Sequence, residues 1–373
     1  MSLLGGLLCS IASAYAVVAL VAVLRLRRAL AAGATGAATE PVAVSVLKPL
    51  HGDEPRLHEN LRGYCLQAHP RYQLLFGIQR ADDPAGDVVR RLQAEFPALD
   101  IELVLTVGGQ GLNRKVLNLA GLLPRARHPL LVIADSDIRV PPDYLRRVTA
   151  PLQHAGTGLV TCLYFAHGRG FWARLGAQFV NDWFMPSVAM ARLSGETRYA
   201  FGSTLALRRE TLDAIGGFEA LADELADDYW IGERVRALGL RTELSALRVV
   251  TDDVSTSLRA LCEHELRWLR TVRGLRPRGF FALVVSFTWP LALAGLALSP
   301  TWPTLCLALP GLLARSALHG LQRADHPEPA ALRDLLLTPL RDSLSLALWA
   351  WAHRDSTVSW QGRRLDAARG RPS

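Results

Sequence analysis

No two cysteines in this sequence stand at the CxxC spacing, and the five present (Cys9, Cys65, Cys162, Cys262 and Cys306) are scattered and odd in number. That argues against both a disulfide framework and a cysteine-built zinc site, and suits a reducing compartment for the middle of the chain. The sequence also lacks an internal repeat, a Walker A loop and a clean GxGxxG. Charge is scarce: Asp, Glu, Lys and Arg make up 20% of 373 residues, against 50% hydrophobic. The formal net charge is +8, yet the arginines do not interleave with aromatics as a nucleic-acid surface requires. They gather beside apolar segments, at Arg25, Arg27 and Arg28 and again at Arg270, Arg273, Arg276 and Arg278. That placement points to anionic lipid head groups and topology control, and no nucleic-acid partner is expected.

The apolar excess sits at the two ends. Leu3 to Leu24 carries no charge, a length that crosses roughly 30 Å of hydrocarbon. Nothing basic precedes it and three arginines follow, the reverse of a cleaved signal peptide. A retained anchor is expected, and by the positive-inside rule the chain beyond it lies in the cytoplasm. The organisation read from the sequence is an anchor over 1–28, a linker over 29–41, a cytoplasmic domain over 42–279, membrane helices over 280–322, and an amphipathic or re-entrant helix with a basic tail over 323–373. Phe280–Leu298 and Trp302–Leu321 are the candidate C-terminal spans; Arg333, Asp334, Arg341 and Asp342 interrupt the weaker Leu332–Trp351. The localisation this predicts is a multi-pass protein of the inner membrane.

Between the ends, strand-like and helix-like patterns alternate. Val42–Leu47, Tyr72–Ile78, Ile101–Thr106 and Leu130–Ala134 read as strands, and Leu57–Gln67, Asp87–Glu95 and Lys115–Leu122 as helices. Such alternation predicts an α/β fold with a mostly parallel central sheet, whose ligands gather at the carboxyl ends of the strands. The acidic motifs fall at those ends. Asp135-Ser136-Asp137 closes a buried strand with two carboxylates two residues apart, a donor set for a divalent cation (Mg or Mn) that also grips a diphosphate. Its structural alternative is an Asp-rich turn. Asp82 and Asp83 end another strand and by themselves are an ordinary turn; in a nucleotide-binding layout a carboxylate there accepts from a base N–H. Gly108–Lys115 is a glycine-rich bend into a helix, which lets Lys115 meet a diphosphate or leaves it a surface lysine. Asp227 and Asp228 open a helix, where acids are favoured electrostatically; beside Tyr229 and Trp230 one of them can hold a raised pKa and act as a base. Finally His264, Arg267 and Trp268 share one helix face just before the membrane re-entry.

Taken in order, Val46-Leu47-Lys48-Pro49-Leu50, Asp82-Asp83-Pro84, Gly111-Leu112-Asn113 with Lys115 and Asn118, Asp135-Ser136-Asp137, Asp227-Asp228-Tyr229 and Arg267-Trp268 resemble the inverting glycosyltransferases that include ceramide glucosyltransferases and their bacterial relatives. The resemblance implies a nucleotide-sugar-binding, GT-A-like domain, a UDP-sugar donor and a lipid acceptor. It places uridine contact on Asp82 or Asp83, metal and diphosphate on Asp135 and Asp137, and the catalytic base on Asp228. Asp227, His264, Arg267 and Trp268 complete the expected substrate site. His264 departs from the Gln or Arg usual at the first position of the closing motif. The His264–Trp268 segment, with Gly158–Tyr164, is similar to the bacterial branch associated with hopanoid biosynthesis, which implies N-acetylglucosamine passed to a hopanoid polyol; glucose and ceramide are the alternative. The apolar ends would also suit a polytopic transporter or a non-catalytic membrane scaffold, but the long α/β stretch and the intact acids speak against both.

Overall fold

A computed structural model describes residues 2–33, 40–196, 199–324, 332–360, 363–366 and 371–372. Contacts divide the chain into two units. The sheet unit comprises Gly33–Tyr164 and Thr197–Asp252; the helical unit comprises Met1–Ala32, Phe165–Glu196 and Asp253–Ser373.

In the sheet unit, seven strands run β1 (Val44–Pro49), β2 (Tyr72–Ile78), β3 (Ile101–Leu105), β4 (Leu130–Ile133), β5 (Thr157–Gly168), β6 (Leu205–Arg208) and β7 (Arg241–Asp253). Their spatial order is β3-β2-β1-β4-β6-β5-β7. The first four pair in parallel, β1 lying between β2 and β4. β1 and β4 are short apolar runs, buried almost throughout, as strands covered on both faces must be. Leu47, Leu75, Leu131 and Ile133 pack with Phe218, Ile231 and Val235 into one core. Burying a side chain such as Phe218 completely contributes about 1.5–3 kcal/mol.

Strand order turns back at β1 and β4, so a crevice opens beyond their carboxyl ends. Three later strands were not read from the sequence. β6 runs antiparallel to β4, with Ile133 opposite Leu205. The start of β6 therefore lies beside the end of β4, which brings residues just before Leu205 against Asp135.

The helical unit begins with a 31-residue helix, Leu3–Gly33, which runs on past Arg28. Of the expected linker, 34–39 lies outside the described residues. The helix turns small residues inward, with Cys9, Ala12, Ala16 and Ala19 buried, while Leu3, Leu4, Leu7, Val17 and Val18 are exposed. Small residues inside and large apolar ones outside is the arrangement of a lipid-facing helix. A Cβ added at Gly295 would meet Cys9 Sγ at 2.5 Å, and one at Gly311 would meet Ser13 at 2.6 Å, so the backbones pack at close range. Among the described residues two helices, Leu3–Ala32 and Trp302–Ala324, are long and apolar enough to cross a membrane. Pro277–Ser286 and Thr288–Leu298 form a third candidate bent by 59°. Of the charges that interrupt the last apolar stretch, Asp334, Arg341 and Asp342 are turned inward: Arg341 is 1% and Asp342 5% exposed, and Asp342 pairs with Arg315 at 2.8 Å. Within the expected basic tail, Thr357–Trp360 and Arg363–Asp366 form antiparallel strands.

Candidate active site

The strand end at Asp135 is the centre of a polar cluster inside the sheet unit. Asp135 N–H donates to the Gly202 carbonyl at 3.1 Å. Gly202 N–H in turn donates to Asp228 Oδ2 at 2.8 Å, and Tyr229 N–H donates to Asp228 Oδ1 at 2.7 Å. Lys115 Nζ lies 2.7 Å from Asp135 Oδ1 and 3.1 Å from Asp227 Oδ2. Four of the residues singled out in the sequence, Lys115, Asp135, Asp227 and Asp228, thus meet around one glycine.

Each is delivered by a local rule. Lys115 stands in the first turn of the Arg114–Leu122 helix, whose N-cap Asn113 accepts from Val116 N–H at 3.1 Å. Asn113 also donates from Nδ2 to the Glu224 carbonyl at 2.8 Å, tying that helix start to the approach of the next acidic helix. Asp227 and Asp228 open the Asp227–Ala237 helix, where the N-terminal dipole favours carboxylates. Gly202 is glycine because a Cβ there would lie 2.7 Å from Asp135 Oδ2 and 3.3 Å from Lys115 Nζ.

The electrostatics follow from burial and crowding. Burial, then repulsion from Asp227, pushes Asp228 up to about 6. Asp137, which accepts a hydrogen bond from Thr251 Oγ1, is also raised, first by burial and then by Asp135. For Lys115 burial alone would favour the neutral amine, but Asp135, Asp227 and Asp228 outweigh it and hold the ammonium well above its usual range.

Lys48 has a part the sequence reading left unassigned. The chain has two lysines, Lys48 and Lys115, and both stand at this centre. Lys48 is fully buried on β1, donates to the Asp135 carbonyl and lies 4.1 Å from the centre of the Tyr64 ring. Burial drives it down to about 7 against the pull of Asp137, Asp135 and Glu54. Glu54 is a further carboxylate, accepting from Ser136 Oγ at 2.7 Å. A lysine within a β-branched strand was the visible signal for the first; for Gly202 the signal was the small-residue run Gly202-Ser203-Thr204 before β6.

Asp82 and Asp83 part company. Asp83 is 6% exposed and accepts from Gly52 N–H at 2.9 Å and Ala85 N–H at 3.0 Å, fastening the loop after β1 to the turn after β2. Asp82 is at the surface and accepts from Arg80 at 2.6 and 2.9 Å. That hydrogen-bonded partner holds its carboxyl below the usual range.

His264, Arg267 and Trp268 belong to the helical unit, on the Leu258–Leu275 helix. The His264 and Trp268 rings meet edge-on at 5.7 Å, and Trp268 also packs against Phe179 and Phe184.

Among the described residues no three His, Cys, Asp or Glu side chains converge to hold a metal by themselves. Asp135 and Asp137 nevertheless fit a hard cation of the magnesium kind, which uses one or two carboxylates and fills its remaining positions with phosphate and water. Five carboxylates, Asp135, Asp137, Asp227, Asp228 and Glu54, within reach of two lysines leave negative charge for such an ion to balance.

Set against known proteins, the chain matches glycosyl transferase family 21 over residues 6–372. It is 28% identical over 239 residues to ceramide glucosyltransferase 3 of Caenorhabditis elegans, and 27% identical over 239 residues to ceramide glucosyltransferase 1 of the same organism, each match covering 63% of this chain. The chain spans about half the length of these curated relatives, 51% and 50%. A solved mannosyltransferase from Pyrobaculum calidifontis, in complex with GDP-Man and Mn2+, is similar in fold, with a TM-score of 0.51 and 20% identity over 93% of this chain and 96% of that one.

Proposed function

Because the chain belongs to glycosyl transferase family 21 and carries a GT-A-like fold, we propose that it transfers a sugar from a UDP-sugar to a membrane lipid, inverting the anomeric carbon. The observation that carries this reading is Asp228, a carboxylate raised to about 6 and braced through Gly202 on the strand end that bears Asp135. A single displacement needs one base, and a carboxylate of that pKa is ionised at neutral pH yet still basic enough to take a proton. Asp228 removes the proton from the acceptor hydroxyl. Lys115, with its ammonium held firmly charged, meets the donor diphosphate, and Asp227 keeps Lys115 in place. Asp135 and Asp137 would hold a divalent cation, which when bound would supply charge neutralisation for the diphosphate. The GDP-Man and Mn2+ bound by the Pyrobaculum calidifontis neighbour support a nucleotide-sugar donor and a divalent ion; the uridine is taken from the resemblance.

Asp82, at the surface beside Arg80, is the member of its pair assigned to the uracil; Asp83 shapes the loop. Arg267, Trp268 and His264 are assigned to donor binding by the resemblance of the closing motif. The catalytic domain faces the cytoplasm at the inner membrane, with the lipid acceptor arriving from the bilayer.

For that acceptor we take a hopanoid polyol receiving N-acetylglucosamine as the first reading, on the form of the closing motif. Glucose transfer to ceramide is the second, favoured by the Caenorhabditis elegans relatives. Incubating the purified protein with a panel of UDP-sugars, Mn2+ or Mg2+, and either hopanoid or ceramide, followed by mass spectrometry of the lipids, tests both. A glycosylated hopanoid supports the first, a glycosylated ceramide the second, and no lipid product from any donor contradicts the proposal.

A further inference from the structure

The Leu258–Leu275 helix buries Leu261, Glu265 and Leu269 along one stripe. Leucines at that spacing need no comment. A carboxylate at the centre of the stripe does, because an unpaired charge in an apolar interior costs several kcal/mol. Glu265 is 3% exposed, and its two oxygens accept from Arg341 Nη1 and Nη2 at 2.7 and 2.8 Å. Arg341 comes from the Thr338–Ala352 helix, is 1% exposed, and also donates to the Leu175 carbonyl and Ser345 Oγ, each at 3.2 Å. Its guanidinium lies 5.6 Å from the centre of the Phe179 ring. Phe179 in turn meets Trp268 at 6.2 Å. One guanidinium therefore holds the motif helix by two routes, through the Glu265 carboxylate and through Phe179 to the Trp268 indole.

A buried ion pair is a poor way to gain stability, since apolar residues of similar volume often serve as well or better. What a fork-to-fork pair has is direction. Leucines tolerate a helix that slides or rolls, whereas a bidentate pair does not. Successive residues on a helix are about 100° apart, so fixing Glu265 fixes the azimuth of His264, Arg267 and Trp268 together. We infer that Arg341 is a positioning residue for the transfer reaction: its pair with Glu265 sets the rotation of the motif helix and so the presentation of Arg267 and Trp268 to the donor. This rests on the reading that the closing motif binds the donor diphosphate.

The test uses the full-length protein in two forms, Glu265→Met combined with Arg341→Met, and Arg341→Lys alone. The first keeps apolar volume and removes the pair; the second keeps the charge and loses the fork. UDP affinity is measured by calorimetry with Mn2+, alongside donor KM, kcat and the melting temperature. A merely structural pair lowers the folded fraction, and with it apparent kcat, at unchanged donor KM and UDP affinity. A positioning pair raises donor KM and weakens UDP, with kcat/KM falling on the order of 10²-fold, the loss expected for a misplaced binding group. If the double variant does not fold, Arg341→Lys decides alone. Wild-type donor KM and UDP affinity in Arg341→Lys overturn the inference. Arg267→Ala separates the two claims. If it leaves UDP affinity intact, the motif is not a donor site; if it weakens UDP while Arg341→Lys does not, only the positioning role falls.

Discussion

Asp228 illustrates how little a side chain's identity says without its neighbours. It shares the Asp227–Ala237 helix start with Asp227, yet Asp227 faces Lys115 while Asp228 spends both oxygens on backbone N–H groups. Burial and the adjacent Asp227 favour its protonated form, and Lys115 opposes them. Because a base works only when deprotonated, kcat/KM is expected to rise with pH along an acid limb of midpoint about 6, measured from pH 4.5 to 8 at saturating cation. A profile flat through that range contradicts the assignment. Gly202 makes a second prediction at this scale. Gly202→Ala puts a methyl 2.7 Å from Asp135 Oδ2, so that carboxylate must shift, and a misplacement of about 1 Å is expected to lower kcat/KM on the order of 10²-fold. Steady-state kinetics on the folded variant check it, and unchanged kinetics would mean the contact is relieved elsewhere.

At the scale of elements, Asn113 does more than its sequence context suggests. It caps the Lys115 helix and reaches the Glu224 carbonyl, so one side chain ties two acidic-site helices together. Asn113→Ala is expected to lower stability by about 1 kcal/mol through the lost cap, read as a lower melting temperature in detergent, with a raised donor KM from the freed Lys115. The first half of the sheet was legible because its parallel strands are mostly apolar runs set between helical patterns; Tyr72–Ile78 agrees to the residue. β5, β6 and β7 were not read as strands, since the first two pair antiparallel to each other and β6 to β4, so their place depends on long-range contacts. Gly202 was marked in sequence by its small-residue run alone, for the same reason: its role comes from lying beside Asp135, 67 positions earlier in the sequence. Lys115, Asp135, Asp227 and Asp228 were legible because each sits at the end of a strand or the start of a helix, where sequence signals are strongest.

For the whole molecule, the helical unit carries, among the described residues, two helices long and apolar enough to cross a membrane. Its N-terminal helix was readable from an unbroken apolar run. The segments after it were harder, because Arg315, Arg341 and Asp342 look like solvent-facing charge in sequence and are buried in pairs in the structure. Gly311→Leu is expected to push Ser13 away and separate the Leu3–Gly33 and Trp302–Ala324 helices, since a Cβ alone at that position would already lie 2.6 Å from Ser13. Thermal unfolding and size-exclusion chromatography in detergent would show a lower melting temperature and aggregation; a variant as stable as the wild type would count against close packing there.

The central claim, that separated acids fold into one centre with divided labour, is tested most directly by measuring UDP binding with Mn2+ and sugar turnover in Asp135→Asn and Asp228→Asn side by side. The account predicts that Asp135→Asn loses cation-dependent UDP binding, whereas Asp228→Asn binds UDP as the wild type does and loses on the order of 10²–10⁴ in turnover. Near-normal turnover by Asp228→Asn, or unaltered cation-dependent binding by Asp135→Asn, would contradict it.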